Sequence, residues 1–177
     1  GQVPVEPTRV DVEHLVAEVV ASVGEATGRR IDLDAGRCAA VRADERLLRR
    51  LLTNLIGNAL VHMGPRPDAF VRVQIRTSKG HHHIAVIDNG KGLPRQNRAK
   101  LLEPYMTTRE KGTGLGLAIV KKIMEDHDGR LELHDAPADY HGGCGAMVRL
   151  VFPAAAQTIS SGNDAEQETG AQAERTA

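Results

Sequence analysis

Apolar residues recur at helical spacing in three segments of the chain. From Asp11 to about Gly24, valine and leucine return every three or four positions. In residues 45–63, leucine dominates one face of the same pattern, and Asp44 stands directly before it, where an N-cap is expected. A third run of this spacing covers residues 117–127. The pattern predicts three amphipathic helices.

Between these segments, apolar and polar residues alternate as they do along half-buried strands. The predicted strands cover residues 31–34, 39–42, 69–77, 83–88, 130–134 and 146–152. We expect the first pair to form a hairpin across Gly36, and the second pair across Lys79 and Gly80. The last pair is expected to flank a glycine-containing loop, and a short helix is expected over residues 95–102.

Hairpins interleaved with helices predict the fold class α+β. We expect a two-layer α/β sandwich, in which a mixed, mostly antiparallel sheet of about five strands is covered by three main helices. Residues 1–9 contain two prolines without periodicity and are interpreted as a linker. Residues 10–153 are interpreted as one domain, long enough for a hydrophobic core. The apolar pattern then ends, and residues 154–177 are predicted to be a disordered tail.

Composition and charge narrow the function classes. Lysine and arginine together number 23, and aspartate and glutamate together also number 23. Without an excess of positive charge, we do not expect nucleic acid as a partner. Cys38 and Cys144 lack a CxxC partner and are interpreted as buried apolar side chains in a reducing compartment. No stretch reaches the roughly 18 apolar residues of a membrane span. We expect a cytoplasmic location, with an inner-membrane anchor upstream in the full-length protein left open.

A glycine-rich segment before the third helix offers the first chemical signal. Gly112, Gly114 and Gly116 directly precede the apolar run. Backbone N–H groups without side chains approach an anion closely, and the start of a helix adds the positive end of its dipole. The spacing fits neither the P-loop nor the dinucleotide fingerprint. The segment therefore predicts phosphate binding without identifying the ligand.

Two further signals lie elsewhere in the chain. Asn54 and Asn58 share one face of the second helix although Asn is a poor helix former, and an amide oxygen can ligate Mg²⁺. Two solvent-facing amides are the alternative. Asp88, at the end of a buried strand, can accept a hydrogen bond from a ligand amine, while Gly90 and Gly92 leave room for a flat ring. An ordinary Asp-Asn-Gly turn is the alternative there.

In order and spacing, these segments resemble the catalytic, ATP-binding (HATPase) domain of bacterial sensor histidine kinases, in the superfamily of DNA gyrase and the mismatch-repair ATPases. The resemblance covers residues 10–153 and implies the Bergerat-type ATP-binding fold. It rests on residues 54–59 (NLIGNA, similar to the N box), 88–93 (DNGKGL, the G1 box), 103–108 (EPYMTT, the F box) and 112–118 (GTGLGLA, the G2 box). Residues 103–127 most resemble the nitrogen-regulation type.

The resemblance implies ATP and Mg²⁺ as cofactors and gives roles to individual residues. Asn58 is the implied Mg²⁺ ligand, Asp88 the acceptor for the exocyclic amine of adenine, and Asn54, Asn58 and Lys111 the implied catalytic set. Lys111 and Arg109 are candidates for the β- and γ-phosphates, with solvated charges of the lid as the alternative. The implied nucleotide contacts are Asn54, Asn58, His62, Asp88, Gly90, Gly92, Thr107, Thr108, Arg109, Lys111, Gly112, Thr113, Gly114, Leu115, Gly116 and Leu117.

Position 54 bears on the reaction. Relatives that hydrolyse ATP carry Glu four residues before the metal-binding Asn, where it acts as a general base. Asn54 cannot accept a proton at neutral pH, whereas a neutral imidazole is already a nucleophile. The resemblance therefore implies transfer of the γ-phosphate to histidine in two-component signal transduction. Val61, where many family members carry a charge, leaves a nucleotide-binding pseudokinase open, and a free-standing ATPase is the third alternative.

The phosphorylated histidine is expected on a separate dimerisation domain. Neither His14 nor His127 is followed by the acidic residue and helix of an acceptor motif. Expected partners are that domain and a downstream response regulator, with a homodimeric full-length protein and a monomeric isolated domain. Residues 81–83, three consecutive histidines, do not indicate a metal site, because successive strand residues point to opposite faces.

Overall fold

Three α-helices cover one face of a five-stranded sheet in the computed structural model, which describes residues 4–38, 40–104 and 116–154. The helices are α1, Val12–Thr27, α2, Glu45–Met63, and α3, Gly116–Asp126. All three predicted helices are confirmed. The short helix expected over residues 95–102 is a 3-10 helix limited to Arg98–Leu102.

Side chains and glycine set the limits of the first two helices. The carboxylate of Asp11 accepts a hydrogen bond from the N–H of His14 at the start of α1, and Gly28 ends that helix with φ 65°. The carboxylate of Asp44 accepts from the N–H groups of Arg46 and Leu47, which confirms the predicted N-cap of α2.

Seven strands form two sheets within the described residues. They are β1, Thr8–Val10, β2, Ile31–Ala35, β3, Val41–Ala43, β4, Val71–Ser78, β5, His81–Asp88, β6, Arg130–Asp135, and β7, Ala146–Pro153. The larger sheet has the order β2-β4-β5-β7-β6, in which β2 is parallel to β4 and the other pairs are antiparallel. The predicted mixed, mostly antiparallel sheet of five strands is therefore confirmed.

The two faces of the large sheet differ in chemistry. On the helix side, Val73 and its neighbours two residues away are fully buried and pack in one core with the inner faces of α1, α2 and α3. On the other side, Arg72 pairs with Asp32 at 2.7 Å and Arg76 with Asp34 at 2.6 Å. The alternation along β4 thus places the apolar core between this sheet and the helices.

The predicted hairpin around Gly36 is wrong. The N–H of Gly36 donates to the carbonyl of Ile75 at 2.8 Å, which prolongs the pairing of β2 with β4. Strand β3 pairs instead with β1, and β1 includes Thr8 and Arg9, which the sequence pattern assigns to the linker. Alternation indicates that a strand forms but not which distant strand pairs with it.

Three other expectations concern the cysteines, the tail and the membrane. Cys144 is exposed and Cys38 is partly buried, so the expectation of a buried Cys144 is wrong. Of the predicted disordered tail, only Ala154 is described, and its N–H donates to the carbonyl of Gly80 at 2.9 Å. Residues 155–177 lie outside the described residues. No helix in the described part of the chain combines the length and apolar character needed to cross a membrane.

Candidate functional site

A pocket opens between the large sheet and helices α2 and α3, at the end of β5. It encloses about 70 Å³ and combines apolar side chains from both layers with a few polar groups. Such a combination is typical of small-molecule sites. The lining residues are Leu55, Asn58, Ala59, His62, Val86, Asp88, Gly92, Leu93, Leu117, Ala146 and Val148.

Asp88 is the buried acid of this pocket. It is the last residue of β5, is 7% exposed, and accepts a hydrogen bond from the N–H of Gly90 at 2.9 Å on Oδ1. Burial raises the pKa of Asp88, against the opposing effect of the N–H groups of Gly90 and Ala146 and the charge of Arg66. A desolvated carboxylate gains from each further donor. The position therefore suits a ligand that carries an amine.

The turn after β5 is fixed through Asn89, which is 5% exposed. Its Oδ1 accepts from the N–H of Phe70 at 2.8 Å, and its Nδ2 donates to the carbonyl of Asp68 at 2.7 Å. Arg66 Nη2 donates to the carbonyl of Asn89 at 2.6 Å. These bonds join the turn to the α2–β4 connection, so the backbone beside Asp88 has little freedom.

Glycine is required where this turn meets the β6–β7 connection. Gly92 has φ 82°, and a Cβ there would lie 3.2 Å from the carbonyl oxygen of Gly145. Gly145, with φ 122°, packs so closely that a Cβ would overlap the carbonyl of Asp88. The sequence pattern identifies Gly92 as a site residue but misses Gly145.

Helix α2 carries the two predicted amides. Asn58 lines the pocket, and its Nδ2 lies 3.2 Å from the position that a Cβ on Gly116 would occupy. The missing side chain of Gly116 thus lets the start of α3 approach the amide. Asn54 lies one turn earlier on the same face and is half-buried, but it does not line the pocket. His62, one turn after Asn58, does line it.

The residues of the pocket fit an adenine nucleotide with Mg²⁺. Its apolar walls suit a flat ring, and Asp88 suits the amine on that ring. The amide oxygen of Asn58 is a ligand type that Mg²⁺ accepts while phosphates and water supply the rest. The described residues contain no group of three or more His, Cys, Asp or Glu side chains placed to hold a metal.

The predicted lid contacts belong to the segment that precedes α3. Of the predicted phosphate-binding residues, Gly116 and Leu117 are described: Gly116 begins α3 beside Asn58, and Leu117 lines the pocket. The others lie outside the described residues: Thr107, Thr108, Arg109, Lys111, Gly112, Thr113, Gly114 and Leu115.

Sequence reasoning missed the apolar walls. Leu55 and Ala59 flank Asn58 on α2, and Val86 and Val148 come from neighbouring strands. In the sequence, all four resemble ordinary core positions. The available signal was their place beside the predicted polar residues: Val86 precedes Asp88 by two residues on the same strand face.

The three consecutive histidines occupy the start of β5, after the Lys79–Gly80 turn. His82 is buried on the helix side, where its Nδ1 contacts Thr77 Oγ1 at 2.9 Å. His83 lines a separate hollow on the opposite face of the sheet. The expectation that these side chains point to opposite faces is confirmed.

The two-layer sandwich, with an apolar pocket that holds a buried acid between sheet and helices, defines a Bergerat-type ATPase domain. The chain belongs to the family described as Histidine kinase-, DNA gyrase B-, and HSP90-like ATPase, whose profile matches residues 43–156.

Two curated relatives show which kind of protein within this family the chain is similar to. The chain is similar to the nitrogen regulation protein NtrY of Azorhizobium caulinodans, with 50% identity over 119 residues that cover 64% of the chain and 15% of NtrY. It is 36% identical to the C4-dicarboxylate transport sensor protein DctB of Rhizobium meliloti over 115 residues, or 59% of the chain and 18% of DctB. The chain thus spans less than a fifth of either relative.

Solved structures support the same family. The mycobacterial sensor histidine kinase MprB matches with a TM-score of 0.71 and 27% identity, over 85% of the chain and 97% of that structure. Full-length ShkA in complex with AMPPNP matches with a TM-score of 0.71 and 25% identity, over 86% of the chain and 32% of that structure. The fold of this chain is that of the catalytic domains of sensor histidine kinases.

Proposed function

We propose that this chain is the ATP-binding catalytic domain of a two-component sensor histidine kinase. In this proposal it transfers the γ-phosphoryl group of ATP to a histidine on a separate dimerisation and phosphoacceptor domain. The observation that carries the proposal is the buried carboxylate of Asp88 in an apolar pocket that also contains the amide of Asn58. The kinase relatives support it, although the chain corresponds to only part of their length.

The described residues of the proposed site form two groups, one that binds the adenine ring and one that binds the phosphates. Asp88 accepts a hydrogen bond from the exocyclic amine, while the side chains of Leu55, Val86 and Val148 exclude water from the ring. Gly116 lets the first turn of α3 lie close to Asn58, so the positive end of the helix dipole is available to the phosphates. Mg²⁺, when bound through Asn58, neutralises phosphate charge and aligns the γ-phosphate.

The remaining predicted contacts complete the proposed site. Asn54 and His62 bind at the phosphate–metal end and at the mouth of the pocket, respectively. Lys111 and Arg109 offer positive charge to the β- and γ-phosphates from the lid, and Thr107, Thr108 and residues 112–115 supply hydroxyl and backbone donors. No general base is needed on the protein, because a neutral imidazole attacks phosphorus directly. Asn54 in place of a carboxylate keeps water from competing as the nucleophile.

The proposal also assigns partners and a location. The catalytic domain meets its own dimerisation and phosphoacceptor domain, which passes the phosphoryl group to a response regulator. The domain itself is monomeric and the full-length kinase is a homodimer. The catalytic domain and its phosphoacceptor domain act in the cytoplasm, where ATP is available. An upstream region anchors the full-length protein in the inner membrane. The relation to the sensor kinases NtrY and DctB supports these assignments.

A phosphotransfer assay tests this function. The 177-residue chain is mixed with Mg-ATP labelled at the γ-phosphate and with the phosphoacceptor domain encoded by the same gene. We expect label on the acceptor that is stable in base and lost in acid, and none when the acceptor histidine is replaced by Gln. ATP binding without any transfer would favour a pseudokinase. Rapid release of inorganic phosphate without phosphohistidine would favour an ATPase.

A further inference from the structure

A tyrosine from the β6–β7 connection lies beneath the strand end that carries Asp88. Tyr140 is 5% exposed, and its hydroxyl lies 3.1 Å from the carbonyl oxygen of Phe70 and 3.2 Å from that of Ile87. Both acceptors are carbonyls, so the hydroxyl donates its proton between them. Ile87 directly precedes Asp88, and the tyrosine therefore acts one residue from the pocket.

The same point is the end of the β4–β5 pairing. The carbonyl of Phe70 also accepts the N–H of Asn89, the residue after Asp88, at 3.3 Å. The Tyr140 hydroxyl thus joins the residue before β4 to the backbone of the residue directly before the buried acid. Burial raises the pKa of Tyr140, which keeps the hydroxyl protonated as a donor.

The connection that carries Tyr140 is itself well fixed. The N–H of Tyr140 donates to the carbonyl of Pro137 at 2.9 Å, and its carbonyl accepts from the N–H of Gly143 at 2.8 Å. Its ring contacts the rings of Phe70 and His141, with centroids 5.7 Å and 4.9 Å away. Because the tyrosine is fixed by these contacts, its hydroxyl can fix the positions of the two carbonyl groups to which it donates.

The end of the connection touches the turn after β5 independently. Gly145 packs on the carbonyl of Asp88, and Cys144 Sγ lies 3.4 Å from the carbonyl oxygen of Gly90. The connection therefore contacts the backbone carbonyls of the residue before the acid, of the acid itself and of the second residue after it. Because the backbone is held at these three positions, the direction of the Asp88 carboxylate is fixed as well.

We propose that Tyr140 is a positioning residue for nucleotide recognition: its hydroxyl holds the carbonyls of Phe70 and Ile87 together and thereby aims the Asp88 carboxylate at the exocyclic amine of adenine. This inference rests on the proposed binding of ATP at Asp88. It concerns selectivity for the amine and predicts no contact between Tyr140 and the nucleotide.

The test compares two nucleotides in the Tyr140→Phe variant, which keeps the ring and loses the hydroxyl. Calorimetry measures the affinity of the 177-residue chain for Mg-ATP and for purine riboside triphosphate, which lacks the exocyclic amine. We expect Tyr140→Phe to weaken ATP about 3- to 10-fold and to leave the analogue unchanged, because a misdirected carboxylate loses part of one charge-assisted hydrogen bond. An equal loss for both nucleotides, or no loss for either, would overturn the proposal.

Two further variants separate the possible failures. Thr77→Val removes a hydrogen-bonded hydroxyl from the opposite, exposed end of β4, where Thr77 Oγ1 contacts the Arg37 carbonyl and His82, so it should lower stability without changing the ratio of the two affinities. Asp88→Asn should reduce ATP affinity to that of the analogue or below. If Asp88→Asn preserves the preference for ATP, adenine recognition at Asp88 is wrong. If only Tyr140→Phe preserves it, the positioning role alone is wrong.

Discussion

The backbone N–H of Asp44 donates a 2.9 Å hydrogen bond to Nε2 of His127 and so joins the start of α2 to the residue after the end of α3. Because Nε2 accepts, the ring proton lies on Nδ1, which donates to the carbonyl of Ile123 at 2.6 Å. One imidazole ring therefore fixes the relative position of the two helices that border the pocket.

We expect His127→Ala to destabilise the protein by about 1–3 kcal/mol, because it leaves the N–H of Asp44 without its partner. Urea denaturation at pH 7 measures the change. His14→Ala is the matched control: His14 is 73% exposed and its ring pairs with Glu18 on the surface of α1, so its loss should cost less than about 1 kcal/mol. Equal losses in the two variants would show that the His127 bridge contributes nothing special.

Acid should weaken the protein through Asp44. Burial raises the pKa of Asp44, but hydrogen bonds from the N–H of Glu6, from Arg46 and from the N–H of Leu47 outweigh burial and lower it to about 2 from an ordinary 3.8. A carboxyl whose pKa is lower in the folded state stabilises fully above its unfolded value. That stabilisation is lost as the pH falls from about 4 through 2.

Asp44→Asn isolates this contribution, since Asn also serves as an N-cap. The difference in free energy of unfolding between the wild type and this variant should be constant from pH 7 to 5 and should shrink as the pH falls from 4 to 2. Urea titrations at each pH measure it. A difference that stays the same down to pH 2 would contradict the role of the charged carboxylate.

The elements that follow from local pattern could be predicted from the sequence. The leucine face of α2, with Asp44 before it, and the alternation along β4 each give a strong and local signal. The partner of β2 is different, because a parallel strand comes from 40 residues away and the residues around Gly36 also suit a hairpin. Pairing between distant segments is decided by the whole core, which a short pattern does not contain.

The polar residues of the candidate site can be proposed from sequence, whereas its apolar walls cannot. Asp88 and Asn58 stand out because an acid at the end of a buried strand and an amide within a strong helix both need a reason. Val86 and Leu55 look like core residues until the fold leaves a gap beside them. Tyr140 acts through backbone carbonyls of residues 70 and 87, and such contacts leave no trace in a sequence motif.

A side chain at Gly116 should interfere with nucleotide binding. A Cβ there would lie 3.2 Å from Nδ2 of Asn58, so Gly116→Val should displace the amide and weaken Mg-ATP at least about 10-fold in calorimetry. Gly57→Ala, on α2 where a Cβ meets nothing within 4 Å, is the control. It should keep the ATP affinity and gain about 0.5–1 kcal/mol of stability. Unchanged affinity in Gly116→Val would contradict the proposed place of the phosphates.

Replacing Asn54 by Glu should turn the site toward hydrolysis. A carboxylate on the face of α2 that holds Asn58 can accept a proton from water, and general bases typically contribute 10²–10⁴-fold. We expect the steady-state release of phosphate from ATP to rise at least about tenfold. Thr53→Glu places the same charge on the exposed neighbouring position and should change nothing. If the two variants hydrolyse ATP equally slowly, the amide at position 54 is not what limits hydrolysis.

Adenine recognition at Asp88 is tested most directly by calorimetry at pH 7, which measures the binding of Mg-ATP to the wild type and to Asp88→Asn. Asn keeps the shape of the side chain, and its Oδ1 can still accept from the N–H of Gly90, so a melting curve that shows a folded variant separates lost recognition from lost structure. We expect micromolar-range binding of ATP by the wild type and, in Asp88→Asn, an affinity lowered to that of the analogue without the exocyclic amine or below. A wild type that binds no ATP, or an Asp88→Asn variant that binds it equally well, would contradict adenine recognition at Asp88.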